Sequence, residues 1–311
     1  MLSIKKILVS AEGEHSIAAI NRGFAVAKRA KAKVTLMNVI KPIPSSLSWW
    51  TDAASPAEIQ DLLIQDHEAK LRHQIIEHGG DPDEHEVIVK VGDTAGLLAR
   101  EVVEHDYDFV IRSGTAGKER NYLDSVSQSL MRNCPCPVWI MKPEIFGSFD
   151  RVMVAVDVEA GDKTHQSLNQ EILEYAAAIA ANDDAELHVV CVWDIWMEAA
   201  LRRRSGDQEV DEMRAKHAAD AKAKLESLVK EHVDPEVPVI LHVANGTPAP
   251  QILGLVEHVH ADLLVMGTVC RTGVAGFLIG NTAVTLLTQV PCSVLAAKPE
   301  GFVSPIQASS P

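Results

Sequence analysis

The chain has 311 residues and a formal net charge of −14, with 47% hydrophobic and 23% charged side chains. That length suggests about two domains with a core each, and the acidic balance argues against nucleic acid, whose phosphates need basic surface. No apolar run approaches the roughly 18 residues that cross a bilayer, so a membrane is not an expected partner either.

The charge is uneven along the chain. Residues 1–150 carry 17 basic and 21 acidic side chains, and residues 151–311 carry 12 and 22. The opening "MLSIKKILVSAEGEH" turns acidic after a short apolar run, so it reads as a first strand rather than a secretion signal. "SIAAINRGFAVAKRAKA" predicts a helix with Ile17, Ile20, Phe24 and Ala27 on its core stripe. "VTLMNVI" follows as a strand. Trp49-Trp50 then stand either as a lid over an apolar site at the strand ends or as plain packing. Ser55 as N-cap, Pro56 at N1 and Glu58 at N3 start a second helix, which Gly79-Gly80 should stop. "VIV", "DFVI" and "VWIM" have the continuous β-rich character of strands covered on both faces. Cys134-Pro-Cys136 lacks the two-residue spacer of a redox or zinc pair and reads as a strand entry. Five cysteines without framework spacing fit reduced thiols and a cytoplasmic location.

The second half repeats the first in the same order. "KKILVSAEGEH" resembles "DRVMVAVDVEA", with Glu12 opposite Asp157, and "KAKVTLMNVIKP" resembles "DAELHVVCVWDI", with Val39 opposite Val192. "VKVGDTAGLLAREVVEHDYDFVI" resembles "LHVANGTPAPQILGLVEHVHADLLVM", with Asp108 opposite Asp262, and "CPVWIMKP" matches "CSVLAAKP". A repeat this long implies duplication of a whole domain, since solenoid periods are far shorter. "QEILEYAAAIAANDD" predicts a helix with Ile172, Tyr175 and Ile179 inward. Arg202-Arg203-Arg204 reads as a solvated face. His258 and His260 point to different helix faces, so no metal is predicted. No GxSxG elbow occurs, and no catalytic residue is named.

Strand–helix alternation predicts parallel sheets with helices on both faces and ligands at the strand ends where strand order reverses. One such end is "LLVMGTVCRTGVAGFLIGNTA". Gly267 and Gly280 let backbone approach a ligand, and the helix start at Asn281, Thr282 and Ala283 offers unpaired N–H groups to an anion. Asn281 is also a good N-cap. Cys270 adds a Cβ that crowds an approaching phosphate. Phosphate binding and a loop kept for packing both remain open.

With "VAVD", "CPCPVWIMKP" and "SVLAAKP", this segment resembles the universal stress protein family in its tandem form, the E type. The resemblance implies two Rossmann-like, adenine nucleotide alpha hydrolase-like α/β domains, each with a five-stranded parallel sheet flanked by helices. Their bounds are 1–146 and 147–300, followed by a flexible tail at 301–311. It implies a stress-resistance protein that is not an enzyme, or at most a slow ATPase. ATP or AMP would lie against Asp157, Val192 and Met266, with Ala155 and Val156 along the base edge. The family's nucleotide loop runs glycine, two residues, glycine, nine residues, glycine, then serine or threonine. Here Gly267, Cys270, Gly280 and Asn281 fill those places, so two of four depart.

The first half departs further. Ser113 stands at the first glycine and Asp124-Ser125 at the last pair, where a carboxylate repels phosphate. Lys118 and Arg120 are read as solvent-facing, and no nucleotide is expected there. Two readings compete with nucleotide binding. One is a nucleotide-independent adaptor for an unidentified protein partner. The other is a carrier of a lipid-like ligand under Trp49-Trp50 and residues 193–205. A homodimer is plausible for each.

Overall fold

The computed structural model describes residues 4–44, 55–115, 123–145, 147–159, 161–268 and 280–306. Its internal contacts divide the chain into two units between Gly147 and Ser148, with the 303–306 stretch grouped with the first. In the first unit, strands β1 (Lys6–Ser10), β2 (Lys33–Ile40), β3 (Glu86–Val91), β4 (Phe109–Ser113) and β5 (Val138–Met141) alternate with helices. These are α1 (Ile17–Ala30), α2 (Pro56–Glu77), α3 (Thr94–His105) and α4 (Ser125–Asn133). The second unit runs β6 (Arg151–Val156), α5 (Lys163–Asp183), β7 (Glu186–Trp193), α6 (Glu198–Ser205), α7 (Asp207–His232) and β8 (Val239–Asn245). It continues with α8 (Pro248–Val259), β9 (Leu263–Gly267), α9 (Asn281–Gln289) and β10 (Ser293–Ala297).

Within each unit the described pairings are parallel, in the orders β3-β2-β1-β4-β5 and β8-β7-β6-β9-β10. Five strands are therefore described in each unit, with helices between them. Strand order reverses beside β1 in the first and beside β6 in the second, the positions where such sheets leave a crevice.

The repeat seen in the sequence is also a repeat of hydrogen bonds. Asp108 accepts from the backbone N–H groups of Lys5 and Lys6 at 2.6 and 2.8 Å. Asp262 accepts from those of Asp150 and Arg151 at 2.8 and 3.0 Å. Each carboxylate fixes the start of its unit's first strand against the fourth. Helix ends repeat too. Lys31 and Asp184 close α1 and α5 with φ of 55° and 57°, and Asp106 and His260 close α3 and α8 with φ of 51° and 52°. Non-glycine residues enter this left-handed region at a cost, so its recurrence at matching places reflects a shared backbone.

Local sequence explains most boundaries. Ser55 and Glu58 form the reciprocal capping box, the Ser55 Oγ accepting from the Glu58 N–H and the Glu58 carboxylate from the Ser55 N–H. In α5, Ile172, Tyr175 and Ile179 are buried as expected. The stripe on α1 differs from expectation. Ile17 is 44% exposed, while Ala19, Ile20, Gly23 and Ala27 are buried. A Cβ at Gly23 would lie 2.6 Å from the Val9 Cγ2, so this face of α1 presses close on the sheet at Gly23. The C-terminal stretch was expected to be mobile, and the Ser304 hydroxyl donates to the Asn133 carbonyl at 2.7 Å.

Candidate functional site

In the second unit, Ala155, Val156 and Asp157 lie at the end of β6, with β7 on one side and β9 on the other. Ala155 is in register with Val190 and with Met266, so the ends of these three strands, with Val192 and Gly267, form one rim. Met266 and Val156 are buried, and Asp157 is half-buried. The sequence-predicted residues of the three strands are thus brought together.

Two of them have structural duties. The Asp157 carboxylate accepts from the Glu159 N–H at 3.1 Å, holding the turn after β6. The Asn169 amide grips the same backbone, accepting from the Asp157 N–H at 3.0 Å and donating to its carbonyl at 2.7 Å. Gly267 lies close under Leu168, whose Cδ2 a Cβ there would meet at 2.7 Å. Neither Leu168 nor Asn169 was picked out from the sequence. Asn169 sits in the polar run "KTHQSLNQE", so nothing in the sequence sets it apart from its neighbours.

Cys270 lies outside the described residues, as do Trp49, Trp50, Lys118 and Arg120. Beyond that loop the Gly280 N–H donates to the Thr268 carbonyl at 3.1 Å, and the Thr268 N–H to that of Ala297 at 3.0 Å. The cap of α9 is Gly280 rather than Asn281, which is already helical and exposed. The helix geometry begins one residue earlier than the N-cap preference of asparagine suggests, since the Gly280 carbonyl accepts from the Val284 N–H. Among the described residues no side chain caps α9. Thr282 is half-buried and Ala283 is buried beside it.

The first unit fills the same place with charge. Asp124 is the N-cap of α4 and accepts from the Ser127 N–H at 2.8 Å. It also takes both terminal nitrogens of Arg112, at 2.9 Å each. Arg112 further donates to the Ser127 hydroxyl at 2.7 Å, and Glu12 lies 3.9 Å away. Burial pushes the Glu12 carboxyl above its usual range, against the lowering pull of Thr94, Arg112 and the Val39 amide. Ser113, at the first loop position, accepts from the Ala19 N–H at 3.1 Å. Arg112 escaped sequence reasoning, although a charge inside the apolar run "DFVIRSG" must find a partner once buried.

Other expectations stand as follows. The Cys134 and Cys136 sulfurs are 3.6 Å apart, too long for a covalent bond. Arg202 is tied to Glu198, Asp207 and Asp211, while Arg203 and Arg204 are exposed. Glu101, Glu104 and His105 lie close enough to share a cation, but Glu101 is already paired with Lys90. No described helix is long and apolar enough to cross a membrane.

Two parallel sheets with reversing strand order, built on matching clamps and caps, define the repeated unit. The model of the Universal stress protein family matches residues 3–142 and 148–298. The chain belongs to that family. Its two Usp domains stand in tandem, as in E-type members. It is 27% identical over 220 residues to Universal stress protein E of Salmonella typhi, covering 68% of this chain and 67% of that protein. It is 25% identical over 281 residues to the Universal stress protein E homolog of Haemophilus influenzae, covering 86% and 87%. A solved universal stress protein from Archaeoglobus fulgidus DSM 4304 shares the fold, with a TM-score of 0.63 at 20% identity, covering 96% of this chain and 99% of that one. Membership of the Usp family supports a role in the response to stress.

Proposed function

We propose that this Usp chain is a cytoplasmic stress-resistance protein that binds one adenine nucleotide, ATP or AMP, through its second unit. It acts by presenting that ligand state to a protein partner, as a homodimer, with at most slow hydrolysis. The observation that carries this reading is the contrast at the two helix starts. Among the described residues Gly280 leaves the start of α9 without a side-chain cap, whereas Asp124 occupies the start of α4. An uncapped helix start with glycine before it suits a phosphate. Asp157 at the neighbouring strand end suits a ribose or base.

A nucleotide-independent adaptor is the second reading. It is favoured by the packing of Gly267 on Leu168 and by the hold of Asp157 on Glu159, which account for both residues without a ligand. Native mass spectrometry separates the two. One adenine nucleotide per chain, lost on Asp157→Ala or Gly280→Val, is the expected result. No bound mass, together with no calorimetric response to roughly millimolar ATP, a range in which binding is worth about 4 kcal/mol, leaves the adaptor. An apolar mass in its place would point to the lipid-like carrier.

A further inference from the structure

We infer that Asp124 is a built-in occupant of the first unit's anion cradle, holding the place that a phosphate-like oxyanion would take against Arg112, Ser127 and the start of α4. This goes beyond the nucleotide reading and does not depend on what the second unit binds.

The contacts are those of a bound oxyanion. One Asp124 oxygen accepts from Arg112 and from the Ser127 N–H at 2.9 and 2.8 Å, and the other accepts from the second Arg112 nitrogen at 2.9 Å. A planar guanidinium fork and a helix-start amide are the donor set that recognises carboxylate and phosphate alike. The Arg112 side chain is only 8% exposed, and among the described residues its Nε has no hydrogen-bond partner. Removing the anion that faces a buried guanidinium leaves an uncompensated buried charge, which destabilises the fold. The cation and its anion are present together in the first unit. At the matching places of the second unit stand Met266, which is buried, and Gly280, neither of them charged.

Tethering decides the competition. Asp124 is fixed to the helix it caps, so its carboxylate meets Arg112 without the translational and rotational freedom that a free phosphate must give up to bind there. The first unit is therefore closed to phosphate-bearing ligands by its own side chain, and ligand stoichiometry is set by sequence rather than by supply. Removing the carboxylate should expose a site for a tetrahedral oxyanion.

The test uses the full chain and inorganic phosphate. Asp124→Ser keeps a capping hydroxyl and makes room, and it is made alone and with Glu12→Gln, because Glu12 at 3.9 Å is the other carboxylate within reach of Arg112. Without phosphate the melting temperature should fall by about 5 °C or more. About 20 mM phosphate, against sodium chloride of equal ionic strength, should restore roughly 3 °C beyond any gain of the unsubstituted chain. Adding Arg112→Met should abolish that extra gain. No extra gain in either background, or one that survives Arg112→Met, overturns the inference. Should both serine variants fail to fold even in phosphate, Asp124→Asn decides. It keeps the size and the cap, and it should melt lower than the unsubstituted chain without any phosphate response. A melting temperature equal to that of the unsubstituted chain overturns the inference.

Discussion

The two units share strand order, clamps and helix ends, yet they treat the same place at the strand ends in opposite ways. The first packs it with Arg112, Asp124 and a nearby Glu12. The second has Met266 and Gly280 there, and among the described residues no side chain caps the helix start. A duplicated backbone thus tolerates either an internal ion pair or uncharged residues at this place, because the clamps that hold the sheet lie at the other end of the strands. The lesson is that scaffold and site are separately adjustable in this fold.

That comparison is most sharply broken by giving the first unit the second unit's residue. Arg112→Met alone leaves Asp124 and Glu12 without their cation, and it should cost about 3–5 kcal/mol in urea unfolding. A cost below 1 kcal/mol would mean the pair is a solvated surface contact. Gly267→Ala probes the second unit's own packing. It should destabilise by about 1–3 kcal/mol through Leu168, and Leu168→Ala in the same chain should recover part of that loss. Simple addition of the two costs would show that the close approach does not matter.

The smallest expected effect concerns a pair found only in the second unit. His188 on β7 and His242 on β8 are hydrogen-bonded at 2.9 Å and stacked. Burial lowers the pKa of both below the usual 6.5. For His242 the neighbouring His188 and His258 lower it further, while Glu186 partly offsets the shift of His188. The unfolded chain therefore takes up protons first as pH falls. Stability from this pair is complete above pH 6.5 and drains away below it. The first unit has Thr35 at the position matching His188, bonded to Tyr107 at 3.1 Å. Melting curves between about pH 8 and pH 5 should show the second unit losing stability in that window, and His242→Gln should flatten the loss. An unchanged slope in that variant would assign the acid sensitivity elsewhere.

Much of this fold could be read in the sequence because its signals are local. Ser55, Pro56 and Glu58 announce a helix start within four residues, and the apolar runs announce strands. Duplication followed from comparing one half with the other. The site was less legible because its decisive partners are far apart in sequence or hidden by expectation. From the sequence Asp124 is only a carboxylate that repels phosphate, and its meaning changes once Arg112 is seen beside it. Leu168 explains Gly267 across about a hundred residues, a distance no spacing rule covers. Helical spacing places Ile17 on the inward stripe of α1, but the face of α1 that meets the sheet runs through Ala19, Ile20, Gly23 and Ala27.

The Asp108 and Asp262 clamps carry a consequence for how the protein is made. Each joins the first strand of a unit to a carboxylate more than a hundred positions later in the chain. During synthesis the leading strand emerges well before its anchor, so neither sheet can lock its centre until most of that half has left the ribosome. The duplicated arrangement turns one long wait into two shorter ones, and the amino-terminal half can finish folding while its twin is still being translated.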